Sequence, residues 1–329
     1  RSKDEIKGLR AAVTPFVNGD KTFSARLPRF VGYVPVDRPT QKPSSDRLRP
    51  VPADYPDPLL EANSIDVAAN DAQPVWITVR VPVDATPGTY SATVGLIGQV
   101  DGKDAKATQK LTLRVFPATI TKTRLHVTEW FGMNTAHMKI KPEKNSEEYY
   151  ALLRKFARNM AEHRHNVALI SPTGHAQFGA DANGGLTVDF SEFDRWVSIF
   201  VEEGVIGTIE GGHIGWRSGG WTSTFHVEVY QAKDGKAVSS MVDPASAEAD
   251  AFFAWYYPKL VEHLRGKGWL DRYLQHLGDE PIPPNLKSYQ AMAALTRKYA
   301  PGLRIVEACH ASDLAGSMDV WVPQLNYLK

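Results

Sequence analysis

Residues 73–84, QPVWITVRVPVD, alternate Val75, Ile77, Val79 and Val81 with Trp76, Thr78 and Arg80, the period of a strand with one face buried. The following ATPG breaks the run. TYSATVGLIGQV and ATQKLTLRVFP then flank DGKDAK, and this arrangement predicts a hairpin, because Asp and Gly supply turn conformations that β-branched residues resist. Residues 35–58 carry Pro35, Pro39, Pro43, Pro50, Pro52, Pro56 and Pro58. So many missing amide donors exclude a central strand and predict a long surface excursion. The first 118 residues are therefore expected to form an antiparallel β-sandwich.

Past residue 118 the period changes from two to 3.6. NSEEYYALLRKFARNMAEH places Tyr149, Leu152, Leu153, Phe156 and Met160 on one helical face, with Asn145 and Glu148 spaced as a capping box. DFSEFDRWVSIFVEEG repeats the device with Phe190, Phe193, Val197, Phe200 and Val201, ended by Gly204 where a left-handed residue is wanted. A helix over about 243–265 has Pro244 in its first turn and Pro258 in its middle; another is expected over NLKSYQAMAALTRKYAPG. Strand-like segments begin near residues 124, 167, 205, 273, 304 and 319.

Strand–helix alternation of this kind requires a parallel sheet covered by crossover helices. An open doubly wound sheet is one solution. An eight-stranded (β/α) barrel is preferred, because no glycine-rich dinucleotide fingerprint follows the first strand and polar residues collect at the strand ends. The expected organisation is multidomain: residues 1–118 a sandwich, residues 119–329 a (β/α)8-type barrel that lacks its last strands at the C-terminus.

Charge then removes several function classes. Thirty-eight Lys and Arg against 37 Asp and Glu leave a formal charge of +1, so no net field favours nucleic acid or an anionic surface. The single Cys309 forms no internal disulfide and reads as a small core residue; neither a second cysteine nor an HExxH pattern offers zinc a ligand set. No apolar run approaches the roughly 18 residues of a membrane span, so membrane insertion is not expected. The chain begins with Arg rather than Met, and an export signal removed upstream would place the protein in a secreted, periplasmic or cell-surface setting.

In a barrel the chemistry sits where strands end. The first strand runs to Trp130, with Asn134 and His137 beyond it; the second leads to His175; the third carries Glu210, His213 and Trp216; the fourth ends in Asp279 and Glu280; the sixth reaches Asn326 and Tyr327. Carboxylates among indoles suit a sugar, whose C–H faces pack on aromatic rings while acids and amides bind its hydroxyls. Any one of these Trp or His residues alone reads more readily as structural; their clustering is what marks them. Asp279 and Glu280 have a competing explanation as acids favoured by the dipole of the helix starting near Asn285, although Pro281, Pro283 and Pro284 set them apart from it.

LGDEP after an apolar strand, YPDPLL at residues 55–60 and PVWITVRVPVDATPGTYSATV at residues 74–94 together resemble glycoside hydrolase family 123, over nearly the whole chain. The resemblance implies a β-sandwich followed by an incomplete barrel, and a retaining, exo-acting hydrolase of β-linked N-acetylgalactosaminides. It implies an Asp–Glu catalytic pair that maps to Asp279 and Glu280, with no metal and no cofactor. Trp130, His175, His213, Trp216, Asn326 and Tyr327 are the expected substrate-binding residues, and GGHIGWRSGGW the expected loop over the sugar. The partner is a glycan substrate, and the oligomeric state is open. Two other readings stay in play: a glycosidase of the same scaffold acting on another sugar, and a noncatalytic carbohydrate-binding protein presenting Trp130 and Trp216.

Overall fold

The computed structural model describes residues 2–42, 45, 49–120, 125–135, 138, 140–309 and 312–323. His137, Asn326 and Tyr327 lie outside the described residues. The chain divides into two units, residues 1–123 and 124–329.

The first unit is built of β1 (Ile6–Val13), β2 (Phe16–Asn18), β3 (Lys21–Phe23), β4 (Arg29–Val36), β5 (Ala53–Leu60), β6 (Ile65–Val67), β7 (Val75–Trp76), β8 (Gly88–Val100) and β9 (Lys103–Val115). One antiparallel sheet runs β3-β2-β8-β1-β6 with β9 also on β8; the other runs β5-β4-β7. β8 and β9 pair over their whole length, from Gly88 opposite Val115 to Val100 opposite Lys103. Their turn is only Asp101-Gly102, with φ of 49° and 71°, so Lys103–Lys106 belong to the strand rather than to a longer polar loop. Two positive φ values give the turn a twist that matches paired strands. Tyr90, Ala92 and Val94 alternate into the core along β8. Leu9 of β1, Val67 of β6 and Phe30 of β4 form one apolar cluster, so the two sheets share buried surface.

Two expectations change here. Val75, Ile77 and Val79 are half-buried and Trp76, Thr78 and Arg80 exposed, as the alternation requires, but only Val75–Trp76 is laddered. Beyond it the contact thins to single bonds such as Arg26 N–H to the Thr78 carbonyl, and Pro74 and Pro82 have no amide to donate. The proline-rich stretch is not all excursion: Pro35 lies in β4, and Pro56 and Pro58 lie in β5. β5 is the edge of its sheet, where a strand can carry proline on its unpaired side.

In the second unit come α1 (Glu147–Glu162), β10 (Val167–Leu169), α2 (Pro172–His175), β11 (Gln177–Ala180), β12 (Leu186–Asp189), α3 (Ser191–Glu202), β13 (Thr208–Glu210), β14 (Gly215–Arg217), β15 (Phe225–Lys233), β16 (Lys236–Val242), α4 (Ala247–Gly266), β17 (Tyr273–Gln275), α5 (Leu286–Tyr299), β18 (Arg304–Ala308) and β19 (Val320–Val322). The sheet β10-β13-β17-β18-β19 is parallel throughout, with neighbours in chain order. Five strands make a half-barrel, and the closed eight-stranded barrel is not what the described residues form.

The strand expected near residue 124 is not formed over 125–130. Asn166 ties that segment instead: Val127 N–H donates to its side-chain oxygen at 2.8 Å, and Asn166 N–H donates to the Val127 carbonyl. A side chain has replaced a ladder rung. Two antiparallel insertions, β11–β12 and β14–β15–β16, were not expected. β15 and β16 turn on Asp234-Gly235, with φ of 49° and 74°, the same two-residue turn as in the first unit. Part of the expected loop GGHIGWRSGGW is therefore strand, since Gly215–Arg217 pair with β15.

The helices follow their apolar stripes. α1 buries Tyr149, Tyr150, Leu153, Ala157 and Met160, and its cap is Ser146, which accepts from Tyr149 N–H, rather than Asn145. Asn145 has φ of 67° and joins Glu192 and Tyr150 through its side chain. α3 buries Phe193, Trp196, Val197, Ile199 and Phe200, and Gly204 after it has φ of 87° as expected. α4 keeps Pro258 inside and buries Phe252, Phe253, Tyr256, Tyr257, Leu260 and Leu264. None of the described helices is long and apolar enough to cross a membrane.

At the end of β13, a Cβ on Gly211 would collide with the hydroxyl of buried Tyr273. That hydroxyl donates to the Gln275 side-chain oxygen at 2.8 Å, and Gln275 in turn donates to the Gly212 carbonyl at 2.7 Å. Nothing there yields without breaking a buried bond. Gly211→Ala should destabilise the second unit by about 1–3 kcal/mol. Urea unfolding of the two proteins would read it, and an unchanged midpoint would refute it.

Candidate active site

The polypeptide leaving β17 passes through a corridor that dictates its sequence. His276, Leu277 and Gly278 are buried, and a Cβ at Gly278 would press on the Phe225 ring at 2.8 Å and on Met292 at 3.1 Å, so only glycine fits. The Leu277 carbonyl accepts from Ile214 and Gly215 N–H, at 3.2 and 2.8 Å. Asp279 and Glu280 then emerge half-buried. Glu280 has φ of 41°, the left-handed region, and its carbonyl accepts from Arg217 Nη2 at 2.9 Å. Such a backbone persists only where its surroundings over-determine it, and it is commonest at functional sites.

The dipole explanation of the acid pair does not survive this geometry. α5 begins at Leu286 with no acid in its first turn; its entry is organised by Asn285, whose side-chain oxygen accepts from Ile282 N–H at 2.8 Å. Asp279 and Glu280 belong to the bend after the strand. The Asp279 side chain makes no hydrogen bond or ion pair among the described residues.

Beneath the bend lies a buried ionic network that joins the expected Glu210 and His213 to His276 and Glu307. Glu307 of β18 has none of its surface exposed. Its Oε2 accepts from Leu277 and Gly278 N–H, each at 3.2 Å, while its Oε1 lies 3.0 Å from His276 Nδ1 and 3.3 Å from His213 Nε2. On the far side of the His276 ring, Nε2 faces Glu210 Oε1 at 3.8 Å, close enough for charge pairing and too long for a hydrogen bond. Glu210 Oε2 also accepts from the Thr128 hydroxyl at 2.9 Å. Half-exposed Trp130 sets its ring edgewise against His213 and His276, at 5.2 and 5.3 Å.

Burial alone would strip the charge from His276, but Glu210 and Glu307 outweigh it and hold the imidazolium up to about 9. Burial would likewise raise Glu307; His213 and His276 more than offset that, keeping the carboxyl below its ordinary value. At neutral pH the pair is ionised. His213, His276 and Glu307 bring three ligand atoms within 4.8 Å of one another. In the structure Glu307 Oε1 is engaged by the two imidazoles and Oε2 by two amides, so the three groups form one hydrogen-bonded network.

The raised His276 value has a consequence for folding. The stabilisation is fully present below the unfolded value near 6.5 and is lost as pH rises through about 9. With Glu210, Glu307 and His213 facing the ring, its loss should amount to about 3 kcal/mol. Unfolding free energies at pH 6.5, 8 and 10 should converge between wild type and His276→Gln; parallel profiles would refute the ionised pair.

The remaining expected residues divide. Trp130 and His213 meet at the network. Trp216 is half-exposed on β14, beside a depression lined by Thr173, Ile214, Glu228, Tyr230 and Phe253. His175 is engaged with α3: Nδ1 lies 3.1 Å from Glu192, and the ring packs on Trp196 at 4.4 Å. Burial lowers its basicity more than Glu192 raises it. Trp221, the last residue of the expected loop over the sugar, is half-exposed, and Arg217, the side chain that holds the Glu280 carbonyl, stacks on it at 3.9 Å. Glu307, like the expected Glu210, carries a signal in the sequence, as an acid beside buried apolar strand residues, where an unpaired carboxylate is prohibitive.

Comparison with known proteins agrees with this architecture. Residues 130–325 match the profile described as glycoside hydrolase 123, catalytic domain, and residues 1–97 that of the glycoside hydrolase 123 N-terminal domain. No curated protein sequence matches the chain. Among solved structures, the chain is similar to a family 123 glycoside hydrolase from Clostridium perfringens, analysed for the details of glycolipid glycan hydrolysis. The TM-score is 0.74 at 16% identity, covering 99% of this chain and 59% of that one, so this chain spans under two thirds of its structural relative. With the catalytic profile alone extending over more than half of its residues, the chain belongs to glycoside hydrolase family 123.

Proposed function

We propose that the protein hydrolyses terminal β-linked N-acetylgalactosamine, or a related N-acetylhexosamine, with retention of configuration and with the substrate's own acetamido oxygen as nucleophile. The observation that carries this is the pair of consecutive acids on one bend. Retaining enzymes with a protein nucleophile set two carboxyls about 5–5.5 Å apart across the anomeric carbon. Neighbours on one turn of backbone cannot flank a sugar in that way. They can serve one face, where an acid meets the leaving oxygen and a carboxylate meets the acetamido N–H.

In this reading Glu280 protonates the departing oxygen and then, as its conjugate base, takes a proton from the attacking water. Asp279 orients the acetamido group and stabilises positive charge on the oxazolinium-like intermediate, which it does while ionised. Asp279 has no partner among the described residues and is thus available to a ligand. Trp130 and Trp216 supply half-exposed indole faces. The glycan portion of a glycolipid, the substrate class of the Clostridium perfringens relative, is the first natural substrate to try.

The test is a panel of nitrophenyl β-glycosides differing only in the sugar. Turnover confined to 2-acetamido sugars, with competitive inhibition by the thiazoline that mimics the oxazoline, is the expected result. Equal turnover of the matching galactoside would replace it with a glycosidase of another specificity. Binding of every glycoside with turnover of none would make the protein a lectin-like module.

A further inference from the structure

We infer that Glu307 is a positioning residue for the acid pair: its buried carboxylate takes the place of a ladder rung and fixes the bend from which Asp279 and Glu280 project. This rests on the reading of those two residues as the catalytic pair. Pairing of β17 with β18 stops at Gln275 opposite Ile305. The next free amides on that side, Leu277 and Gly278, would be buried without an acceptor, and Glu307 Oε2 accepts both. An unpaired buried amide is costly, and a buried carboxylate costlier still, so packing alone would place an apolar residue here, as it does at Ile305 and Val306.

The carboxylate is itself aimed. His276 and His213 hold Oε1, which leaves Oε2 directed at the two amides. Downstream, Arg217 holds the Glu280 carbonyl. The bend is thus fixed just before and just after the acid pair, and the left-handed Glu280 is the conformation this fixing sustains. Loss of the Glu307 tether frees the upstream side, and a displacement of about 1 Å at a catalytic group can cost on the order of 10²-fold in rate.

The experiment uses Glu307→Gln in the full chain, assayed with the preferred sugar carried on leaving groups from alkyl to dinitrophenyl. Mispositioning of the general acid should make the loss in kcat/KM, which reports the step that expels the leaving group, about 10²-fold larger with the alkyl aglycone than with dinitrophenol, which departs without protonation. Affinity for the product sugar should stay within about threefold, because ground-state binding does not depend on the proton donor. A loss equal across all leaving groups and accounted for by a smaller folded fraction would overturn the proposal, because a merely structural role lowers every rate in that proportion. Glu307→Asp serves if the glutamine variant does not fold, since it keeps the charge beside His276 while withdrawing it from the amides; the same split is expected. A crystal structure of either variant with Asp279 and Glu280 unmoved would also overturn it. If instead Glu280→Gln proves fully active, the acid-pair reading fails by itself, and the crystal structure still decides whether Glu307 holds the bend.

Discussion

Glu280→Gln should lower kcat toward an alkyl β-N-acetylgalactosaminide by about 10³–10⁴-fold, the upper range for loss of a positioned general acid. The amide has nearly the shape of the carboxyl but no proton of suitable acidity, so substrate binding is retained. With a dinitrophenyl leaving group the loss should shrink for the first step, because little proton transfer is then needed. Deprotonation of water in the second step still requires the carboxylate, and the intermediate should accumulate as a burst. A uniform loss without a burst would assign Glu280 another role. The backbone gives a control: Arg217 is bound to the Glu280 carbonyl, so side-chain substitution leaves that anchor in place.

Asp279→Asn should cost about 10²–10³-fold in kcat, the scale for removing one electrostatic stabiliser of a developing charge. This loss should be independent of the leaving group, since Asp279 acts on the acetamido side. Asparagine can still accept the acetamido N–H through its oxygen, yet it brings no negative charge to the oxazolinium-like intermediate. Fluorination of the substrate's acetyl group tests the same step from the other side. It withdraws electrons from the attacking oxygen and should slow the wild type steeply. A wild type indifferent to fluorination would refute attack by the acetamido group, and with it the role given to Asp279.

Much of the fold is legible residue by residue. Tyr90, Ala92 and Val94 announce one face of β8, and Asp101-Gly102 announces its turn. The same dipeptide at 234–235 marks β15 and β16, an antiparallel insertion that does not share the period of the strand–helix repeats around it. Asn145 and Ser146 are both competent caps, and the choice of Ser146 depends on Asn145 being drawn to Glu192, a residue of another helix. The strand expected near 124 shows the opposite failure. Its apolar character is real, but its hydrogen bonds go to the side chain of Asn166, and no local pattern encodes that.

The sequence alone determined the period of each element, the turns and breaks between them, the adjacency of Asp279 and Glu280, and the need for glycine and proline around the pair. These are properties of neighbours in the chain, governed by φ/ψ sterics and by which side chains alternate toward water. Only the tertiary structure decided that five parallel strands form a half-barrel and that the acids lie in its strand-end bend rather than on the helix after it. It alone joined Arg217 to Glu280 across 63 positions and His276 to Glu307 across 31. The physical reason is burial: a charge is tolerated inside only beside its complement, and which complement lies near is settled by how the strands stack.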